Sequence, residues 1–189
     1  RILMEEFKDT IMVQDIKDIL IPYFSEYECV KILNVGAKAG NKPEFNWISD
    51  LGKKSEEFCL EYDLNYVSNT EHSFYGDICS CPGVGDNLFD IVFINNVLEH
   101  TLEPWAAAQE CIRICKPGGV IIVGTPFAWY YHKHPVDFWR FSHEGLKHLF
   151  ERNGGVEALC YGFKEHLWND KKRMPKAKGI QSLYVCKKK

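Results

Sequence analysis

The sequence predicts a single α/β domain built around a mostly parallel β-sheet, and three observations lead to that prediction. Short apolar segments alternate along the chain with longer segments of helical spacing. The strongest of the short segments, KILNV (31–35), FDIVFIN (89–95) and VIIVGT (120–125), are apolar nearly throughout, as in strands covered on both faces. A length of 189 residues also favours one domain.

The first third of the chain predicts two helices and two strands. Apolar residues at helical spacing predict a helix within residues 5–27, with Pro22 near its end. The strand 31–35 follows, and a turn from Gly36 to Gly40 leads towards a weakly patterned helix around 43–53. The segment LNYVSN (64–69) is predicted to be the second strand.

The remaining elements are bounded by clear start and stop signals. Pro104 suits the first turn of a helix over 103–115, and KPGG (116–119) ends it before the strand 120–125. Ser142 is the expected N-cap of a helix over 143–152. The last predicted strands are 156–163 and 181–187.

Composition and charge limit the environment and partners of the chain. No apolar run approaches the roughly 20 residues of a membrane-spanning helix, and the first ten residues do not resemble a signal peptide. The eight cysteines fall mostly inside predicted elements and lack paired zinc spacing, so we expect reduced thiols, a cytoplasmic protein and no metal site. The basic residues after position 170 could contact phosphates or anionic lipid, or form a solvated connection.

The order of several motifs carries a family resemblance. KILNVGAKAG, GDI, FDIVFINNVLEH, RICKPGG and VIIVGTP follow one another between residues 31 and 126. In this order they resemble the class I methyltransferases that use S-adenosylmethionine, and in particular the type 11 group. HPVDFWRFSHEGLKHLFERNG resembles a module of bacterial members associated with sugar and cell-surface biosynthesis. The resemblance covers about residues 30–155.

The resemblance implies a fold and a cofactor. We expect a seven-stranded, mostly parallel Rossmann-like sheet with helices on both faces and an antiparallel last strand. Residues 29–189 would form this domain, preceded by an N-terminal helical segment over 1–28. The expected cofactor is S-adenosylmethionine, with S-adenosylhomocysteine as product.

The resemblance also implies cofactor contacts, with three departures from the family pattern. The implied contacts are Asn34, Gly36, Ala37, Lys38, Gly40, Asn69, Asp77, Ile78 and Asn95. Asn34 and Lys38 replace a usual acid and a usual glycine. Asn69 aligns with the acid that accepts hydrogen bonds from both ribose hydroxyls, and an amide is the weaker acceptor; Glu71 could substitute. Asp77 could instead simply form a turn.

The segment after the fifth strand would face the methyl acceptor in this family. Its candidate catalytic residues are His132, His134, Asp137 and Arg140. Alternatively they anchor the segment, with Arg140 paired to an acid. The aromatic residues between 129 and 139 could form a substrate wall or part of the core.

Two functions remain open at this point. The chain could methylate a small-molecule or glycan-type acceptor, or it could have lost cofactor binding and serve as an interaction module with a protein partner. A nucleic-acid substrate is not favoured, because INNVLE lacks the D/N-P-P-Y/F pattern of base-amino methyltransferases.

Overall fold

The computed structural model of the chain describes residues 13–36, 48, 52–66, 71–133, 135–166 and 179–189. Three α-helices lie in these ranges: α1 (Val13–Phe24), α2 (Pro104–Ile114) and α3 (His143–Glu151). The strands are β1 (Cys29–Val35), β2 (Lys54–Glu61), β3 (Ser73–Tyr75), β4 (Phe89–Asn95), β5 (Cys115–Ala128), β6 (Val156–His166) and β7 (Gly179–Lys188). Short 3-10 turns cover Leu64–Tyr66 and Leu98–His100.

The seven strands form one sheet in the order β3-β2-β1-β4-β5-β7-β6. Strands β1 to β5 pair in parallel, and β7 pairs antiparallel with both β5 and β6. The predicted fold class is therefore confirmed. The division into a segment over 1–28 and a domain over 29–189 stays a prediction.

The central strands are apolar throughout because each face of the sheet is covered. Leu33, Val92 and Ile121 enter a core cluster that contains residues of α2 and α3. Their sequence neighbours, which include Ile32 and Ile91, enter a second cluster that contains Leu20 of α1. Since side chains of a strand alternate between faces, both faces demand apolar residues, as the sequence pattern indicated.

The predicted second strand over 64–69 was wrong. The second strand of the sheet is Lys54–Glu61, and Leu64–Tyr66 form a 3-10 turn. KSEEFCLE escaped recognition because it begins with charged residues that stay at least partly exposed, and only its last two residues are buried. Of the helix predicted around 43–53, only Ile48, Gly52 and Lys53 are described, and Ile48 is helical.

The KPGG motif lies in a different element from the one predicted for it. Helix α2 ends at Ile114, one residue before the predicted end, and β5 already begins at Cys115. Phe89 pairs with Cys115 but Ile91 pairs with Val120, so the motif forms an irregularity in the ladder. Gly118 has a φ of 79°, which explains a glycine at this position. The motif therefore interrupts strand pairing after the helix has ended.

The loop over 77–88, which follows β3, is fastened to α2 by two side chains. Oε2 of Glu110 accepts hydrogen bonds from the backbone N–H and the thiol of Cys81, at 3.0 and 3.1 Å. The guanidinium of Arg113 donates to the carbonyls of Val84 and Cys81 and to Asp86. Arg113 also pairs with Glu110 at 2.8 Å, and this hydrogen bond lowers the pKa of Glu110 to about 2.

Replacing Glu110 with Gln is expected to reduce stability at neutral pH by about 1 to 3 kcal/mol. The pKa of Glu110 is depressed in the folded state, so its contribution is complete above the unfolded pKa of about 4.3 and is lost as pH falls towards 2. Urea unfolding between pH 2 and pH 7 should therefore show a shallower acid loss of stability in Glu110→Gln. Glu157→Gln, at an exposed position on β6, is the matched control; equal pH profiles for all three proteins would contradict the prediction.

Candidate functional site

The turn after β1 is shaped by a glycine that no other residue can replace without strain. Gly36 has a φ of 72°, in the left-handed region. A Cβ placed on it would lie 2.4 Å from Cγ2 of Val97. The backbone at the end of β1 therefore packs directly against the turn that follows β4. The next residues of the predicted cradle, Ala37, Lys38 and Gly40, lie outside the described residues.

The end of β2 supplies a buried carboxylate that the sequence analysis missed. Glu61 is the last residue of β2 and is 6% exposed. The Gly36 N–H donates to the carbonyl of Leu60 at 2.9 Å, and the Gly76 N–H donates to the carbonyl of Glu61 at 3.0 Å. The last two residues of β2 thus join the Gly36 turn to the loop that carries Asp77. Glu61 was missed because the second strand was placed too late; the apolar FCL before it was the available signal.

Because β2 ends at Glu61, neither Asn69 nor Glu71 is the last residue of the second strand. Asn69 no longer stands at the end of the second strand and lies outside the described residues. Glu71, the alternative, is described and exposed, at the entrance to β3. The acid expected at the end of the second strand is present after all, as Glu61.

Asp77 forms a turn with its neighbours, as its simpler interpretation predicted. Its Oδ1 accepts from the Cys79 N–H at 2.8 Å, and its carbonyl accepts from the Ser80 N–H at 2.9 Å. The side chain of Ile78 is buried in the core, which leaves its backbone as the part suited to a ligand. Asn34 is also largely buried, at 8% exposure in β1.

The end of β4 is held by a glutamine from β7. Nε2 of Gln181 donates to Oδ1 of Asn95 at 2.6 Å and to Oδ1 of Asn96 at 2.8 Å. Asn96 adopts a φ of 55°, and a Cβ on Gly124 would lie 2.2 Å from Oδ1 of Asn95. The Asn95 side chain therefore positions this corner. Gln181 was not singled out from the sequence, because its role depends on the antiparallel pairing of β7.

The segment between β5 and α3, here called the aromatic loop (129–142), is organised by a buried ion pair. The Asp137 side chain is 1% exposed and accepts hydrogen bonds from both terminal nitrogens of Arg140 and from the His132 N–H. The Arg140 hydrogen bonds lower the pKa of Asp137 to about 2. Arg140 also donates to the carbonyls of Tyr130 and Trp139. The predicted pairing of Arg140 with an acid is therefore present.

The aromatic loop is tied to the 3-10 turn after β4 through backbone groups. The Phe138 N–H donates to the Glu99 carbonyl at 2.7 Å, and Nε1 of Trp139 donates to the Thr101 carbonyl at 2.8 Å. Nδ1 of His100 lies 2.6 Å from the Val136 carbonyl. These bonds bring His132, Asp137 and Arg140 next to Glu99. His134, the fourth candidate of this group, lies outside the described residues.

The Glu99 side chain is fully buried between two histidines. Its Oε1 lies 3.7 Å from Nε2 of His100 and 3.9 Å from Nε2 of His132. Among the described residues, neither carboxylate oxygen has a hydrogen-bond partner. Burial, with a smaller contribution from the charge of Asp137, raises the pKa of Glu99 to about 8. An acid of this kind inside a polar cluster is typical of functional sites.

The aromatic side chains of the loop divide between packing and exposure. Trp129 packs on β7, where a Cβ on Gly179 would lie 2.1 Å from its Cζ3. Tyr131 and Phe138 are 62% and 45% exposed, and Trp139 stands edge-on to Trp105 with ring centroids 6.5 Å apart. Tyr131 and Phe138 are therefore not core residues. Their exposure fits the substrate-wall interpretation without assigning a ligand.

Part of the chain is similar to known methyltransferases. Residues 45–123 match the family model described as a methyltransferase domain, type 11. The match covers fewer than half of the residues of the chain. The resemblance to type 11 methyltransferases that the sequence motifs carry is thus confirmed over these residues.

An uncharacterized methyltransferase from Mycobacteroides abscessus is 31% identical over 84 residues, which are 44% of this chain and 28% of the relative. The chain therefore spans well under half the length of this curated relative. Among solved structures, a SAM-dependent methyltransferase from Archaeoglobus fulgidus has a TM-score of 0.58 at 16% identity, over 99% of this chain and 98% of the other. The [4+2]-cyclase SpnF has a TM-score of 0.62 at 18% identity, over 92% and 80%. At these identities the structural likeness shows the fold alone.

Helices long and apolar enough to cross a bilayer do not occur in the described ranges.

Substituting Gly36 should distort the corner between β1 and β4. Gly36→Ala combines a left-handed φ with a Cβ contact of 2.4 Å to the stiff side chain of Val97. Gly52→Ala is the matched control, because its φ is 68° but nothing lies within 4 Å of its Cβ. Backbone strain alone should lower the free energy of unfolding of the control by about 1 to 3 kcal/mol. Gly36→Ala should lower it by at least about 1 kcal/mol more.

Denaturant unfolding of both variants measures this difference. Val97→Ala in the Gly36→Ala background should recover part of the extra loss, because it removes the methyl that collides. Equal losses at the two glycines would show that the contact with Val97 has no energetic consequence.

Proposed function

We propose that this chain binds S-adenosylmethionine at the carboxyl ends of β1 to β4 and transfers its methyl group to a small-molecule or glycan-type acceptor. The observation that carries the proposal is the buried Glu61 carboxylate at the end of β2. The backbone carbonyls of Leu60 and Glu61 accept hydrogen bonds from Gly36 and Gly76, which join this strand end to the Gly36 turn and to the start of the Asp77 loop. In an open α/β sheet, ligands bind outside the carboxyl ends of the strands. The methyltransferase domain match supports the same chemistry.

The described residues fit the proposed cofactor. The left-handed backbone of Gly36 turns the chain at the carboxyl end of β1. A carboxylate such as Glu61 can accept hydrogen bonds from two neighbouring hydroxyls. Asp77 and the backbone of Ile78 would then border the base, and the corner at Asn95 would border the amino-acid part. When bound, the cofactor supplies an electrophilic methyl group on a sulfonium.

The acceptor would lie on the side of the aromatic loop. Tyr131 and Phe138 offer exposed ring faces that can cover the apolar face of a sugar or another small molecule. The role of the Asp137 and Arg140 pair is to fix this loop, since the lowered pKa of Asp137 makes it a weak proton acceptor at neutral pH. The chain's contribution to rate would then be the positioning of acceptor and methyl donor.

The alternative of an inactive interaction module depended on three departures in the cofactor motif. One of them, Asn69, no longer counts as a departure, because the second strand ends at Glu61. Lys38 lies outside the described residues, and Asn34 remains a departure. A measurement of cofactor binding by the purified chain distinguishes the methyltransferase from the interaction module.

Calorimetric titration of S-adenosylhomocysteine is the first experiment. We expect micromolar affinity in the unmodified chain. Glu61→Gln should bind roughly 10- to 100-fold more weakly, because the amide weakens a charge-assisted hydrogen bond. Glu57→Gln, the same change earlier on the same strand, should bind as the unmodified chain does. Thermal unfolding of each variant separates a lost contact from a lost fold.

Two outcomes would count against the proposal. If Glu61→Gln binds as tightly as the unmodified chain, Glu61 is not the ribose acceptor. If the unmodified chain releases no heat and Lys38→Gly restores binding, the turn after β1 has lost its function and the interaction module is the better account.

A further inference from the structure

The cluster of Glu99, His100 and His132 presents the donor set of a transition-metal site. Each of these side chains offers one ligand atom, and the ligand atoms lie within 4.8 Å of one another. Two imidazoles with one carboxylate suit zinc and other divalent first-row ions. Glu99 and His100 come from the turn after β4, and His132 comes from the aromatic loop, so the fold brings together residues that are distant in sequence.

The distances within the cluster are too long for hydrogen bonds and suitable for a shared ion. Oε1 of Glu99 lies 3.7 Å from Nε2 of His100 and 3.9 Å from Nε2 of His132. Two ligands of a tetrahedral zinc, each about 2.0–2.2 Å from the metal, are roughly 3.4 Å apart. Small side-chain rotations would therefore bring both nitrogens and the oxygen to bonding distance.

Both imidazoles have their other nitrogen next to an acceptor. The Val136 carbonyl, 2.6 Å from Nδ1 of His100, can only accept a hydrogen bond, so that nitrogen carries the hydrogen. Nδ1 of His132 lies 3.2 Å from Oδ2 of Asp137, close enough for attraction although not aligned as a hydrogen bond. With hydrogen on Nδ1, each Nε2 presents a lone pair towards Glu99. Such outer partners are the usual support of metal-binding histidines.

The burial of Glu99 is a separate observation that favours a cation at this cluster. Its side chain is 0% exposed, and neither oxygen has a hydrogen-bond partner among the described residues. A buried carboxylate without hydrogen-bond partners is costly unless it takes up a proton or a cation compensates it. The guanidinium of Arg140 donates to Asp137 and to two carbonyls. The histidines keep 13% and 17% exposure, which gives an ion access to the cluster.

We infer that Glu99, His100 and His132 bind a divalent first-row transition-metal ion, with Zn²⁺ as the best-suited ion, and that a solvent or substrate oxygen completes its coordination. The inference goes beyond methyl transfer and does not require it. The site was not predicted from the sequence, because the cysteine spacings that indicate metal sites do not involve Glu99, His100 or His132.

Cobalt titration of the chelator-treated 189-residue chain tests the site. About one equivalent of Co²⁺ should bind with visible d–d absorption, and Zn²⁺ should displace it. Glu99→Gln, His100→Ala and His132→Ala should each weaken binding by at least the 10–100-fold that even outer-partner substitutions cause. His148→Ala, which removes an exposed histidine on α3, should bind as the unmodified chain does.

X-ray absorption of the zinc-loaded unmodified chain keeps the test independent of how well the variants fold. We expect nitrogen and oxygen ligands at about 2.0–2.1 Å, with the scattering pattern of imidazole. Sulfur ligands at about 2.3 Å would assign the metal to the cysteines and overturn the inference. Absence of tight binding, or equal binding in all the folded variants, would overturn it as well.

Discussion

The parallel register of β1 is the constraint on which the rest of the site depends. Val35 pairs with Leu60 on one side and with Ile94 on the other, so the ends of β1, β2 and β4 fall at one level. Gly36 and Glu61 follow directly at that level. A shift of one residue in β1 would turn its apolar side chains to the opposite faces of the sheet, and two separate core clusters oppose such a shift.

The elements that could be predicted from the sequence are those whose burial produces a local apolar pattern. The strands 31–35, 89–95 and 120–125 were recognised because both faces of the sheet demand apolar residues there. β2 was missed because its first residues are charged and partly exposed, and the error concealed Glu61. The environment of Glu99 leaves no local pattern at all, since its burial depends on a loop more than 30 residues later in the sequence.

The ion pair between Asp137 and Arg140 shows how a charged loop can be ordered without a regular element. The pair is buried on the acid side, and its remaining donors satisfy carbonyls of the same loop. Removing one partner of such a pair leaves an uncompensated charge, which is far more costly than the pair itself is favourable.

The likeness to both a methyltransferase and a cyclase shows that this sheet supports different reactions. The loops at its carboxyl edge are therefore where the chemistry of this chain must be sought.

The backbone bonds between the aromatic loop and the turn after β4 also limit how the protein can diverge. Phe138 and Trp139 are held by carbonyls of Glu99 and Thr101, which belong to a different segment of the chain. A chimera that receives the loop of a relative without the matching turn would lose these acceptors and expose Glu99. The aromatic loop and the turn after β4 should therefore evolve together. Recombination between relatives should preserve function only when both segments are exchanged.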